Sequence, residues 1–442
     1  MKKHLIAITL IILLIATGVI IYLAQGDKAR LAAGADTGKE PVFTAPRSEL
    51  IPTINVAEVK AWTADQKPTA AQGLAVARFA EGLAHPRSML TLSNGDVLVA
   101  ETNSPPRPSG GIVDRVMTYL MDKAGAGVPS ANRITLLRDA DGDGRAETKT
   151  AFLTGLHSPY GMALVGDTLY VANTDALMAF PYKPGDTRIT GKGRKILNLP
   201  AASPNMHWTR SLTASPEGLL YVGVGSNSNI GENGLDSEAN RAAVLEVNPK
   251  TGGYRIYASG LRNPVGLAFE PNSGALWGVV NERDMLGSDL VPDYLTRLEF
   301  GGFYGWPWNY WGGYEDRRVQ PQRPELREYT KRPDYALGNH VAPLGLTFAD
   351  KVKIGGSFAN GAFVGLHGSW NRKPAAGYKV VFVPFAANGE VSKAKPVDVL
   401  TGFLDADGNA RGRPVDVAAD AKGALLVSDD VGGIIWRVTA AR

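Results

Sequence analysis

The chain of 442 residues contains 51 glycines, about 12% against a usual share of roughly 7%, which marks it as rich in turns. Hydrophobic residues at 44% and charged residues at 20% exclude intrinsic disorder, and no glycine period points to a fibre. With 47 Lys and Arg against 43 Asp and Glu and no long basic run, no nucleic-acid partner is expected, and the absence of cysteine excludes disulfides, thiolate nucleophiles, cysteine-ligated metals and covalently attached haem.

Residues 1–25 begin M-K-K-H and continue with an uncharged run over 5–23. Nineteen residues at about 1.5 Å rise cover about 28 Å, close to the roughly 30 Å bilayer core. A secretory signal has a shorter apolar region, about 7 to 15 residues, and here the best cleavage candidate lies downstream at 33–35. An uncleaved N-terminal transmembrane anchor is therefore expected, with a cleaved signal as the alternative. Lys2 and Lys3 keep the terminus cytoplasmic, which puts the rest on the periplasmic side of the inner membrane. Residues 26–75, rich in Ala, Thr, Pro, Lys and Asp, show no sustained apolar period and read as a linker or irregular arm.

From Gly82 one phrase recurs: a Gly/His/Pro turn, a short apolar run, a polar turn, and a second apolar run ending in polar residues. The copies start at 82, 155, 207, 260, 340 and 412. Short apolar runs between Gly, Asn and Asp turns are hairpin signals. A lone hairpin cannot bury its faces, so six such units must pack on one another, which yields an all-β, six-bladed β-propeller over 76–442. A β-sandwich with a second domain is the lesser alternative. In a propeller the equivalent strand ends converge on one mouth of the central channel, gathering Glu101, Asn173, Ser226, Glu282, His367 and Asp429.

Several residues at that mouth could carry chemistry. His207 opens the third copy, and imidazole has the proton affinity of a general base near neutral pH, although a His beside Trp208 is more often structural. Arg262 and Asn263 open the fourth copy and offer planar donors suited to an anionic or quinone ligand, or simply cap strands. Asp139, Asp141 and Asp143 alternate like the start of a calcium loop, but the twelfth position is Thr150, so a solvated turn is preferred over a second Ca²⁺ site. The cluster Phe303, Tyr304, Trp306, Trp308, Tyr310 and Trp311 reads as packed core first and as a sugar wall second.

The fourth copy runs through G-L-R-N-P-V-G-L-A-F (260–269) to N-E-R-D-M (281–285) and G-G-F-Y-G-W-P-W (301–308). These motifs in order, with L-H-G-S-W-N-R (366–372) and G-R-P-V-D-V (412–417), resemble the soluble PQQ-dependent sugar dehydrogenases, and N-E-R-D is most similar to their sorbosone dehydrogenase branch. The resemblance covers about 76–442. It implies PQQ and Ca²⁺ as cofactors, His207 as the base that takes the substrate proton while hydride passes to PQQ, and Arg262 and Asn263 at the cofactor and its reacting carbonyl. It implies cofactor contacts for Arg413, by stacking, for Arg283, and for Asn371 and Arg372, where the family often has Lys at the position of Asn371. The family holds Ca²⁺ through backbone carbonyls of a Gly-Pro pair; the matching positions are Asp284 and Met285, neither of which is Gly or Pro. His157 stands where some members have a Gln-containing loop and is a second candidate for substrate contact.

The expected function is a PQQ-dependent dehydrogenase of a sugar, aldose or related hydroxy or aldehyde substrate, passing electrons to a quinone or cytochrome. The rivals are a calcium-dependent lactonase or esterase, with Glu101, Asn173 and Glu282 around a central ion, and a binding propeller without chemistry.

Overall fold

The structure, a computed structural model, describes residues 26–106 and 111–441. The run over 5–23, and with it the expected anchor, lies outside the described residues, among which no helix is long and apolar enough to cross a membrane. Six sheets, each built on four antiparallel strands, follow one another as blades I to VI of a propeller. The innermost strands are Pro86–Thr91, Met162–Val165, Arg210–Ala214, Asn263–Phe269, Pro343–Phe348 and Pro414–Ala419. Each pairs with the next strand of its blade: Val97–Glu101, Thr168–Ala172, Leu220–Val224, Leu276–Asn281, Gly361–Leu366 and Leu425–Asp429. These twelve strands coincide with the six repeated phrases to within a few residues.

The local reasons are legible. Gly95, Gly166, Gly218 and Gly423 take positive φ in the polar turns between first and second strands. The recurrent proline starts the innermost strand in blades I, V and VI and is its second residue in blade IV. In all four the pairing register shifts just after it, at Pro86/Met89, Pro264/Leu267, Pro343/Gly345 and Pro414/Val417. Proline has no N–H to give to a ladder, so it belongs at a strand start or a bulge.

Burial lies between blades. Phe363 and Phe382 of blade V pack with Val427 and Trp436 of blade VI, and Leu98 and Ile134 of blade I pack with Leu169 and Val171 of blade II. Each sheet thus covers its neighbour, which is why no unit is stable alone. Tyr160, Val265, Leu344 and Val415 form a small apolar plug across the channel. A cavity of about 920 Å³, lined by the innermost strands, opens from the end opposite the mouth.

Blade VI takes its fourth strand from the front of the chain: Leu74–Glu81 pairs antiparallel with Ile434–Ala440, from Glu81 opposite Ile434 to Leu74 opposite Ala440. The preceding arm is irregular but packed. Thr37–Gly38 adds to the edge of blade IV at Leu337 and Ala336, and Thr69–Ala70 adds to blade V at Thr401 and Leu400. Between them Trp62 is buried and donates its indole N–H to Asp429 Oδ2 at 2.7 Å. The helix Ile112–Lys123 belongs to an insertion between the second and third strands of blade I.

Candidate active site at the channel mouth

His207 lies in the loop that enters the innermost strand of blade III. The buried Arg210 fixes this loop, donating to the carbonyls of His207 at 2.7 Å and Thr209 at 2.8 Å and to Asn205 Oδ1 at 3.0 Å. His207 Nδ1 is 2.8 Å from the Ser226 carbonyl and 3.1 Å from Ser226 Oγ, whose own proton goes to the Ser228 carbonyl at 2.6 Å. Both neighbours of Nδ1 can therefore only accept, so Nδ1 carries the proton and the neutral ring has its lone pair on Nε2. Gly225 separates this histidine from Asn263. A Cβ there would lie 2.4 Å from Asn263 Oδ1 and 2.5 Å from His207 Cβ, so the two side chains flank one α-carbon at which any side chain would displace them. Asn263 Oδ1 is buried without a hydrogen-bond partner, an arrangement that suits a ligand group donating into the mouth.

Beside Asn263, Arg262 is buried and donates to the Glu282 carbonyl at 2.6 Å, to Asn229 Oδ1 at 3.0 Å and to Asp284 Oδ2 at 2.9 Å. Asp284 Oδ1 accepts from Asn371 Nδ2 at 2.8 Å, so blades III, IV and V are tied together through one carboxylate. The carbonyls of Asp284 and Met285 both accept from Arg318 Nη1, at 2.9 and 3.0 Å. These are the two positions expected to ligate Ca²⁺; each carbonyl has one lone pair engaged by the guanidinium, and the same turn adds the carboxylate of Asp284 as a further hard oxygen donor. Met285 itself sits at φ 68, which turns its backbone toward Arg318 and the arm.

Arg413 enters blade VI and stacks 5.3 Å from the ring of Tyr378, donating to the carbonyls of His367 at 3.2 Å and Gly368 at 2.8 Å. Next to it Asp430 collects His367 Nε2 at 2.9 Å, His85 Nε2 at 3.3 Å and Arg87 Nη1 at 2.7 Å. Burial, reinforced by Arg413, pushes His367 down to about 3, and burial pushes His85 down to about 4, so both rings are neutral at physiological pH. Burial alone would raise the Asp430 carboxyl; the two histidines and Arg87 hold it well below the usual range. Arg87 also lies 5.8 Å from the ring centroids of Tyr160 and Trp208, which links this cluster to the plug and to the neighbour of His207.

Two of the expected cofactor contacts have their guanidinium groups engaged by protein carbonyls. Arg283 is fully buried, donating to Glu282 Oε2 at 2.9 Å and to the carbonyls of Pro307 at 2.6 Å and Asn309 at 2.7 Å. It pins the aromatic loop from beneath and does not reach the mouth. Arg372 donates to the Ser288 carbonyl at 3.0 Å and holds the arm, whose Asn55 donates to the Arg372 carbonyl at 2.7 Å. The aromatic loop is mostly core, as its commoner reading had it: Tyr304, Trp306, Tyr310 and Trp311 are buried, and Trp306 donates to the Asn229 carbonyl at 2.9 Å. His157 stands at the rim in an exposed pair with Asp175 at 2.9 Å.

The ion site of the lactonase alternative is not assembled. Glu101 is held by Arg133 and Thr135, and Glu282 is held by Arg283 through Oε2 alone, its Oε1 being buried without a hydrogen-bond partner. Among the described residues, carboxylate and imidazole ligand atoms come together in a group of three or more only at Asp139, Asp141, Asp143 and Glu147, in a turn where Lys422 pairs with Asp139 at 3.2 Å. Asn229, Arg318, His85, Arg87 and Asp430 are mouth residues that sequence reasoning missed. The Gly225 to Asn229 run of Gly, Ser and Asn after a strand was the available signal for the first; the others carry none.

A family model described as TrAA12-like matches residues 68–292 and 323–441. A pyrroloquinoline quinone-dependent pyranose dehydrogenase from Coprinopsis cinerea is 25% identical over 417 residues, covering 80% of this chain, while this chain spans only 55% of that protein. Among solved structures, the holo form of the pyranose dehydrogenase PQQ domain from Coprinopsis cinerea superposes with a TM-score of 0.67 at 23% identity, covering 87% of this chain and 100% of that one. The calcium structure of the Trichoderma reesei family AA12 carbohydrate-active enzyme gives 0.68 at 20% identity, covering 88% and 99%. At these identities the structures bear on the fold, and they agree with the six blades.

Proposed function

The chain belongs to the TrAA12-like family, and from that premise we propose that it is a PQQ-dependent dehydrogenase oxidising a pyranose, aldose or related hydroxy or aldehyde substrate. The observation that carries this reading is the pairing of His207 with Asn263 across Gly225, next to Arg262 and on the same mouth as Arg413. Arg262 and Arg413 would hold a planar, anionic quinone there, and the orphaned amide oxygen of Asn263 would accept from a donor of the cofactor or the substrate. Bound PQQ would supply the two-electron oxidising capacity that no side chain of this protein has, and Ca²⁺ would take the Asp284 carboxylate.

The chain's own groups then have defined tasks. His207, neutral and with its Nε2 lone pair set by the acceptors around Nδ1, removes the proton of the substrate hydroxyl. Arg262 is held by Asn229, Glu282 and Asp284, so its positive charge is fixed before substrate arrives and needs no reorganisation. Arg413 would hold the cofactor from the side of blade VI. The body works outside the cytoplasm, held by the segment over 5–23, and delivers electrons to a quinone or cytochrome. The test is reconstitution of purified protein with PQQ and Ca²⁺, followed by dye reduction on a panel of aldoses that includes sorbosone. Ca²⁺-dependent thermal stabilisation by PQQ with sugar-dependent dye reduction supports the proposal; thermal unfolding indifferent to PQQ with Ca²⁺ overturns it.

A further inference from the structure

We infer that the channel mouth faces the lipid bilayer, with its rim seated among the headgroups. The inference rests on the reading of residues 5–23 as an uncleaved anchor and adds an orientation to it. The apolar stretch over 5–23 ends four residues before Asp27. Immediately afterwards the chain is fixed to the mouth: Asp27 Oδ2 accepts from the Ser288 N–H at 2.9 Å, the Asp27 carbonyl accepts from Ser288 Oγ at 3.1 Å, and the Ala29 N–H donates to the Lys373 carbonyl at 2.7 Å. Ser288 and Lys373 belong to the loops that carry Asp284 and Asn371. Four extended residues reach about 14 Å at most, so the mouth lies within about that distance of the membrane surface. The far end of the channel cannot face the bilayer on so short a tether.

The same face carries apolar side chains with nothing over them. After the Glu49 N–H bonds the Met285 carbonyl at 3.1 Å, and before the Asn55 N–H bonds the Trp370 carbonyl at 2.8 Å, the arm exposes Leu50, at 88%, with Ile51 and Ile54. The arm then meets the end of the helix Ile112–Lys123, where the Val59 N–H donates to the Lys123 carbonyl at 3.2 Å. That helix exposes Val116, Met117 and Tyr119, the last at 66%. Lys28, Arg30 and Arg47 are exposed along the first part of the arm, which suits anionic headgroups. Exposed apolar side chains with cations on the same arm, held within reach of an anchor, have the chemistry of an interfacial membrane contact.

The natural sequence has no cysteine, so single sites can be spin-labelled in the full-length protein without background. Leu50→Cys and Tyr119→Cys report the mouth, and Glu217→Cys, in an exposed turn at the opposite end, is the control. The proteins are reconstituted in vesicles of phosphatidylethanolamine with phosphatidylglycerol, and the label's collisions with dissolved oxygen and with a water-soluble nickel chelate are compared by power saturation. Labels at 50 and 119 are expected to favour oxygen in vesicles and the chelate in detergent, while 217 favours the chelate in both. Full-length protein that sediments with the vesicles but leaves 50 and 119 as open to the chelate as 217 overturns the orientation and leaves the anchor standing. Full-length protein that stays in the supernatant overturns the anchor and the orientation with it.

Discussion

Gly225→Ala tests the mouth at the point where its geometry is tightest. Gly225 does not adopt a left-handed φ, so alanine meets no backbone objection and its effect is steric. The added methyl would stand 2.4 Å from Asn263 Oδ1 and 2.5 Å from His207 Cβ, each about 1 Å short of the 3.4 Å at which ordinary contact begins. Both neighbours must therefore move apart by a large fraction of an ångström. Overpacking of this kind costs about 1 to 3 kcal/mol of stability, while a displacement of about 1 Å in a reacting group costs on the order of 10² in rate. The expected variant is folded, slightly less stable and severely impaired. Dye-linked kcat/KM on an aldose, measured beside thermal unfolding with and without PQQ and Ca²⁺, separates these terms. A folded, PQQ-loaded Gly225→Ala protein with wild-type kcat/KM would show that His207 and Asn263 do not bound the reacting position.

His207→Ala is expected to retain PQQ and Ca²⁺ yet lose at least about a hundredfold in kcat/KM, in line with the usual worth of general-base assistance; joint loss of stability and cofactor in thermal and spectroscopic titrations would mark a structural histidine instead. Arg413→Ala should weaken PQQ retention in equilibrium dialysis without changing the order of preferred sugars, because its guanidinium lies beside Tyr378 and away from His207. Arg283→Met leaves Glu282 as a buried carboxylate without its cation, while Asp316 keeps Arg318 at 2.7 Å, so thermal and denaturant melts should show a loss of about 3 to 5 kcal/mol. His367 has its pKa lowered from 6.5 to about 3 on folding, so the unfolded chain binds its proton first as pH falls and the histidine's contribution is lost from about pH 6.5 downward. His367→Gln removes that penalty, and its stability relative to wild type should rise steadily between pH 6.5 and 4 in parallel melts; a pH-independent difference would contradict the buried neutral ring.

The inner half of each blade was legible because its signal is local. Runs such as Val97–Glu101 and Leu425–Asp429 are buried along their whole length, and the glycine turns between them require positive φ. The outer strands gave no such signal: Tyr254–Ser259 begins with three exposed residues, and Arg194–Asn198 is nowhere fully buried, so neither alternates cleanly. Of the site, His207, Arg262, Asn263 and Arg413 were found by motif, and all four sit at the mouth. Arg262 and Arg283 show why the motif could not finish the task. Both are arginines beside an acidic residue, and only the fold shows that one guanidinium meets Asn229 and Asp284 while the other turns beneath to Pro307 and Asn309. Arg318 reaches carbonyls 33 and 34 residues away, and Asp430 joins His85 from the other end of the chain, contacts that no local pattern encodes.

The strand Leu74–Glu81 finds its partner only when Ile434–Ala440 exists, so the ring has a first-made piece that must wait for the last-made one. For a chain made from its N-terminal end, this means that an unpaired edge strand stands exposed while more than three hundred residues are still arriving. Such an edge invites the wrong neighbour, and the strand is guarded accordingly: Arg78 and Glu81 pair at 2.6 Å across its surface, placing charge where a second chain would otherwise add. Completion is therefore sequential and late, with slow, long-range closure as the final event. A ribosome that stops ten residues early makes a propeller with every blade begun and the ring left open at blade VI.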